Sequence, residues 1–511
     1  MIQNNYKPIL YSLLIVIGIL IGNSINNEAK TINEESKINR ILKLIDQHYV
    51  DTLGENFEEK MINLMIKDLD PHTSYIPKKE YKNVNENMSG EFSGIGIEFN
   101  IIDDTIVVVS PISNGPSEKL GIISGDKIIK IDGENFAGIG LENEDVISNL
   151  RGKKDTYVII NIKRSKAKEL IEFKIKREQI PIYSVDASIM IDEKNGYIKI
   201  NRFSATTIKE FDKAIRKLKA LKMDNLILDL RDNPGGYLNA AASISDEFLK
   251  KNELIVFTEG RNREKNEIFA SSNGKLEDIE IVILINEGSA SASEIIAGAI
   301  QDNDRGKIVG RRSFGKGLVQ EEIRLDDGTA IRLTTQRYYT PSGRCIQKEY
   351  GNSKKDYYLE QYLRNDSVIN DTVKFLTKKG RVVYGGGGIT PDHLIQRDTT
   401  LNYRNINYYF SKGIISEFCI KYSEKNSLRI KNKLPTSIDF INSERKLIIK
   451  DFLEFVKINK SSKTLQQNEK KYLSIELQAR IWRNLFGKEN YYQIKNSNDK
   501  YIEKAMMVLN N

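Results

Sequence analysis

The stretch Gly288-Ser289-Ala290-Ser291-Ala292-Ser293-Glu294 places three hydroxyls on a small-residue turn, between an apolar strand over Ile279–Ile285 and a helical segment. Further on, Lys316 stands between two glycines in Ser313-Phe314-Gly315-Lys316-Gly317-Leu318-Val319-Gln320. A serine hydroxyl is a poor nucleophile unless a neighbour takes its proton. The chain has 3 histidines; His48, His72 and His393 all lie outside the segment that carries the serines. A Ser-His-Asp triad would need one recruited from a distant element. A lysine can serve instead when desolvation disfavours its charged form and lowers its pKa. Lys316 sits where flanking glycines let the backbone close over its amine, and Gln320 offers an amide that orients the amine without adding charge.

An acyl-transfer site also needs donors aimed at the developing oxyanion. Pro234-Gly235-Gly236 supplies amides without side chains at the end of a strand, and the Ala292 amide lies where a helix begins. Asp302, further along that helix, is a candidate anchor. Spacing does not choose among Ser289, Ser291 and Ser293, because each could equally cap the helix that follows.

The elements that must hold these residues alternate. Tyr197–Ile200 reads as a strand, and Thr207-Ile208-Lys209-Glu210 as a capping box opening a helix with Ile208, Phe211, Ile215 and Leu218 on one face. Asn225–Leu230 is a buried-type strand, Leu238–Leu249 a helix, and Leu254–Phe257 and Ile279–Ile285 further strands. Such alternation predicts an α/β layer with parallel strands, whose sites lie beyond the strands' carboxyl ends. Both glycine and serine turns fall there. Asp326-Asp327-Gly328 between Glu321–Leu325 and Ala330–Thr335 predicts a hairpin.

Upstream, residues 31–87 read as helical, ending near the turn Asp70-Pro71-His72-Thr73-Ser74-Tyr75. Residues 88–178 carry short Ile- and Val-rich runs between Gly, Asn and Asp turns, a small β-rich module. The core is expected over 179–395, interrupted by an insertion at 346–384, with a charged helical extension at 396–511. At the N-terminus, within residues 1–30, an apolar run over 9–25 follows Lys7 and predicts an export signal or an uncleaved anchor. The remaining chain is then expected outside the cytoplasm.

The 511 residues allow several domains. Lys and Arg total 78 against 70 Asp and Glu, a net +8. These charges are interspersed, so nucleic-acid binding is not expected. Two cysteines give no disulfide framework.

Taken with Asp229-Leu230-Arg231-Asp232-Asn233-Pro234-Gly235-Gly236, Tyr339-Thr340-Pro341-Ser342-Gly343-Arg344 and Gly388-Ile389-Thr390-Pro391-Asp392, the serine and lysine stretches resemble the C-terminal processing (tail-specific) peptidases, the S41 serine proteases. The resemblance covers about residues 35–395. It implies a protease core with ClpP/crotonase-like α/β layers, a PDZ domain over 88–178, and helical N- and C-terminal regions. It implies Ser291 as nucleophile, Lys316 as general base and Gln320 as the residue orienting the lysine. Gly235 or Gly236, with the Ala292 amide, would form the oxyanion hole. Asp302 matches an acidic position that influences activity in some members. Gly94-Ile95-Gly96-Ile97, after Ser93, would hold the carboxylate of a C-terminal tail that adds a strand to the sheet edge. Expected partners are proteins or peptides with accessible C-terminal tails, and the membrane through the N-terminal anchor. Oligomerisation is left open, and no metal, organic cofactor or nucleic acid is implied.

Overall fold

The computed structural model describes residues 10–19, 36–54, 56–164, 167–272, 274–351, 353–364, 373–433, 438–459, 461 and 463–510. The chain divides into two compact units, Met1–Asp68 and Leu69–Asn511. In the first, residues 10–19 are helical, followed by helices Lys37–His48 and Phe57–Lys67. Ser36 caps the former by accepting the Asn39 N–H. The apolar run predicted over 9–25 lies partly outside the described residues. Among those described, no helix is long and apolar enough to cross a membrane.

The second unit is built on a six-stranded sheet with order Val185–Met190, Asn195–Ile200, Asn225–Asp229, Glu280–Ile285, Lys307–Gly310, His393–Leu394. The first pair is antiparallel and the rest are parallel. Side chains alternate between its faces, as the two-residue period of a strand requires. Leu226, Leu228, Ile281, Ile283 and Ile285 pack with the helices Thr207–Ala220, Leu238–Asp246 and Ala292–Asp302. Ile227, Val282, Leu284 and Val309 face the other way, against Tyr501, Ile502 and Ala505 of the last helix, Lys500–Leu509. Burial on both faces explains why these strands read as continuous apolar runs. The helical extension therefore supplies the second covering layer of the catalytic sheet.

One local expectation fails. Thr207 does not open a capping box: the N-cap is Thr206, with no side-chain cap bond. The Thr207 hydroxyl instead accepts from Ser204 N, while Glu210 is drawn to the Ser184 and Val185 amides. Ile208 leaves the apolar face and is 44% exposed. Backbone donors outside the helix outcompeted the local pattern.

A second sheet carries the predicted hairpin, Leu318–Arg324 against Ala330–Tyr339. The latter also pairs with Ser74–Ile76 and Leu254–Gly260. The β-rich module forms its own sheet, Ile97–Ile102 through Ile171–Lys176. Its core joins Ile106, Val108, Ile128, Ile160 and Ile175 to Val146 and Leu150 of the helix Asn143–Leu150. Glu91–Gly94 and Glu178–Pro181 pair at its base, so the chain enters and leaves the module side by side. The segment 346–384 contains the helix Lys354–Leu363 and the hairpin Lys374–Leu376/Val382–Tyr384.

Candidate active site

The turns after the strands Asn225–Asp229 and Glu280–Ile285 meet the second sheet at a cleft of about 430 Å³, lined among others by Gly236, Ser291, Lys316, Gln320 and Tyr338. The strand Glu280–Ile285 ends at the serine turn, and there the three hydroxyls part. Ser289 Oγ is buried, donating to the Leu230 carbonyl at 2.8 Å and accepting from Asn286 N at 3.0 Å. Ser293 Oγ, also buried, donates to the Asn233 carbonyl at 3.0 Å. Both hydroxyls tie this turn to the neighbouring strand end. Ser291 lines the cleft as the N-cap of Ala292–Asp302, with φ 55° and ψ −114°. A non-glycine residue there stores strain of about 1–3 kcal/mol, which only an over-determined surrounding maintains.

That surrounding centres on Glu294, which the sequence reading missed. Its buried carboxylate accepts from Ser291 N (2.8 Å), Lys316 N (2.9 Å) and Gly315 N (2.8 Å), and from the Ser313 hydroxyl. One side chain thus fastens the serine turn to the lysine loop. Burial pushes its pKa up, and these hydrogen bonds hold the rise to about 7. The Tyr338 hydroxyl adds a second tie, 3.1 Å from the Ser291 carbonyl and 2.6 Å from that of Lys316. Glu294 was legible as a carboxylate one helical turn after Ser291, but its partners lie on another loop.

Burial above all, with the Arg332 charge, lowers the Lys316 amine to about 8 against the opposing pull of Asp70 and Glu294. Its Nζ donates to Gln320 Oε1 at 2.7 Å. Gln320 Nε2 donates in turn to the His72 carbonyl at 2.8 Å. Among the described residues no hydrogen bond joins Lys316 Nζ to Ser291 Oγ.

Gly235 and Gly236 have φ of 100° and 143°. A Cβ on Gly235 would come 2.7 Å from Ser291 Cβ, and one on Gly236 1.9 Å from the Phe203 carbonyl. The backbone therefore approaches the serine turn as only glycine permits. Gly235 N already donates to Asn233 Oδ1 at 2.9 Å. Ala292, fully buried, begins the helix beside it. Asp302 lies at the far end of that helix and does not line the cleft. It pairs with Arg344 at 2.7 Å, both side chains fully buried, and accepts from the Ser342 hydroxyl and amide.

In the β module, Gly94 ends the strand Glu91–Gly94, Ile95 is buried, and Gly96 turns with φ 72°. Ile97 then begins the edge strand Ile97–Ile102. Among the described residues, no cluster of His, Cys, Asp or Glu has the makings of a metal site.

Residues 194–358 match Peptidase family S41, and residues 93–177 match the PDZ domain. A carboxy-terminal-processing protease of Bartonella bacilliformis is 39% identical over 329 residues, which span 63% of this chain and 74% of that protein. The carboxy-terminal processing protease CtpB of Bacillus subtilis is 36% identical over 317 residues, 61% of this chain and 65% of its own length. Among solved structures, a photosystem II D1 C-terminal processing protease aligns with a TM-score of 0.39 at 24% identity, covering 71% of this chain and 88% of that one. The chain belongs to the S41 carboxy-terminal-processing proteases, and it is a serine peptidase, a hydrolase of peptide bonds, with a PDZ domain.

Proposed function

We propose that this peptidase cleaves exported proteins near their C-termini through a Ser291–Lys316 pair. The observation that carries the reading is that Ser291 and Lys316 line one cleft, while Ser289 and Ser293 are buried against backbone carbonyls. In the neutral form that its lowered pKa favours, the Lys316 amine takes the Ser291 proton as Oγ attacks the scissile carbonyl carbon. The amine then passes that proton to the departing peptide nitrogen, leaving an ester on Ser291. Water, deprotonated by the same amine, attacks the ester; the ammonium returns that proton to Ser291 Oγ as the new C-terminus leaves. Nζ must move from its Gln320-bound position to within hydrogen-bond reach of Oγ as substrate seats. Catalytic hydrogen bonds often tighten only in the complex. The oxyanion meets the Gly236 and Ala292 amides, Gly235 N being engaged by Asn233. Asp302 acts by bracing the helix rather than at the reacting atoms.

The PDZ domain binds the substrate's C-terminal tail. The tail adds to the edge strand Ile97–Ile102, and the Gly94–Ile97 turn receives the carboxylate. In support, Ser93, on the strand just before this turn, has a buried hydroxyl without a hydrogen-bond partner among the described residues. The apolar N-terminal run places the enzyme outside the cytoplasm, held at the membrane. In a test with an unstructured protein substrate, Ser291→Ala and Lys316→Ala should each cut kcat by on the order of 10³-fold or more. Full activity in either variant overturns the mechanism.

A further inference from the structure

The turn Asp70–Thr73 takes no part in the reaction as written, yet it touches Gln320. A glutamine amide has two opposite ends, an acceptor oxygen and a donor nitrogen. Only Oε1 can accept from the Lys316 amine; a flipped amide would present N–H groups to it. The His72 carbonyl resolves the choice. As a pure acceptor 2.8 Å from Nε2, it would face oxygen to oxygen if the amide turned over. The carbonyl is itself held firmly. Asp70 Oδ1 accepts from His72 N (2.7 Å) and Thr73 N (2.8 Å), and Oδ2 from the Thr73 hydroxyl (2.6 Å). Thr73 Oγ1 also accepts from Thr334 N. Thr334 is the residue paired with Gln320 across the hairpin. From the opposite side, His72 Nε2 lies 2.8 Å from the hydroxyl of Tyr357, on the helix Lys354–Leu363. That helix brings Tyr357 and Tyr358 against His72 and Phe314, the latter two residues before Lys316.

We infer that the Asp70–Thr73 turn is a positioning device for the reaction: it fixes the His72 carbonyl so that Gln320 presents only its acceptor to Lys316. The inference rests on the Ser291–Lys316 reading above. The motif thereby acts through Gln320, without touching substrate, and the helix of the 346–384 segment backs it from behind.

The test is a double-substitution cycle. Thr73→Val removes the hydroxyl that links Asp70 to Thr334 and leaves the charges facing Lys316 (Asp70, Glu294, Arg332) in place. Alone it should lower kcat by about 10- to 100-fold with KM little changed. In a Gln320→Ala background it should cost less than about twofold, because the residue it acts through is gone. Equal losses in both backgrounds would mean a merely structural turn and would overturn the inference. Should Thr73→Val not fold, Thr73→Ala, which also leaves those charges in place, is put through the same cycle. A readout independent of turnover is the pH dependence with which an amine-reactive acylating reagent labels Lys316 in Ser291→Ala protein, followed by mass spectrometry. Losing a fixed acceptor disfavours the ammonium, so the midpoint should move to lower pH in Thr73→Val and Gln320→Ala alike. An unmoved midpoint in Thr73→Val overturns the inference. Failure of the Ser291–Lys316 reading would show separately, as activity surviving Lys316→Ala.

Discussion

At Ser291, strain, exposure and hydrogen bonding separate one hydroxyl from two others of the same type a few residues away. Ser289 and Ser293 spend their protons on backbone carbonyls, whereas Ser291 occupies a positive-φ conformation held open by Glu294 and Gly235. The two groups that titrate near neutrality, Lys316 at about 8 and Glu294 at about 7, sit on loops that the Glu294 carboxylate joins. The base works neutral, so kcat/KM should rise as pH climbs through about 8. Glu294 must be ionised to accept from all four donors, so its protonation below about 7 adds a second loss. The logarithmic slope should then steepen from one towards two below pH 7. A pH profile flat from 6 to 9 would contradict the assignment of the base. Serine, lysine and glutamine were legible in the sequence with their roles, while the role of Glu294 was not, because it lies in contacts with residues of another loop.

The helix Ala292–Asp302 connects Ser291, the proposed nucleophile, to the rest of the core, and its two ends do different work. Its first turn is the serine site; its last is a buried ion pair, Asp302 with Arg344, that fastens it to the Thr340–Arg344 turn. Breaking such a pair leaves an uncompensated buried charge, costing about 3–5 kcal/mol. Asp302→Ala should therefore lower the unfolding free energy by that much in a denaturant titration and reduce activity through loss of folded enzyme. Activity per folded molecule should fall less. If the variant is fully stable yet inactive, Asp302 acts in the chemistry instead. Periodicity and turn residues gave the strands Asn195–Ile200, Asn225–Asp229 and Glu280–Ile285 and the helices between them, but not Val185–Met190, Lys307–Gly310 or His393–Leu394. The capping box at Thr207 did not survive, because a local motif states only what a helix end could do. Glu210 found better donors at Ser184 and Val185.

At the scale of the molecule, the helical extension is part of the core. Tyr501, Ile502 and Ala505 cover the sheet face opposite the nucleophile helix, and Arg231 bridges Asp229 at a strand end to Asp499. Arg483 and Lys488 pair with Glu98 on the edge strand of the PDZ domain. Ile502→Ala should cost about 2–5 kcal/mol of stability, read from the urea midpoint. A change under 0.5 kcal/mol would mean this helix is peripheral. This docking was not legible in the sequence: a charged, amphipathic helix shows that it has an apolar face but not which surface that face covers. By itself the sequence determined the strand–helix alternation leading into the serine turn, the family, and the residue types of the site, since these depend on local periodicity and on side-chain chemistry; the short strands, Ser74–Ile76 in the stretch read as helical among them, it did not. Only the tertiary structure decided which serine lines the cleft, which glycine amide is spent on Asn233, and what fixes Gln320. Each of those is a question of distance between segments far apart in the chain, and burial and hydrogen-bond geometry exist only once the chain has folded.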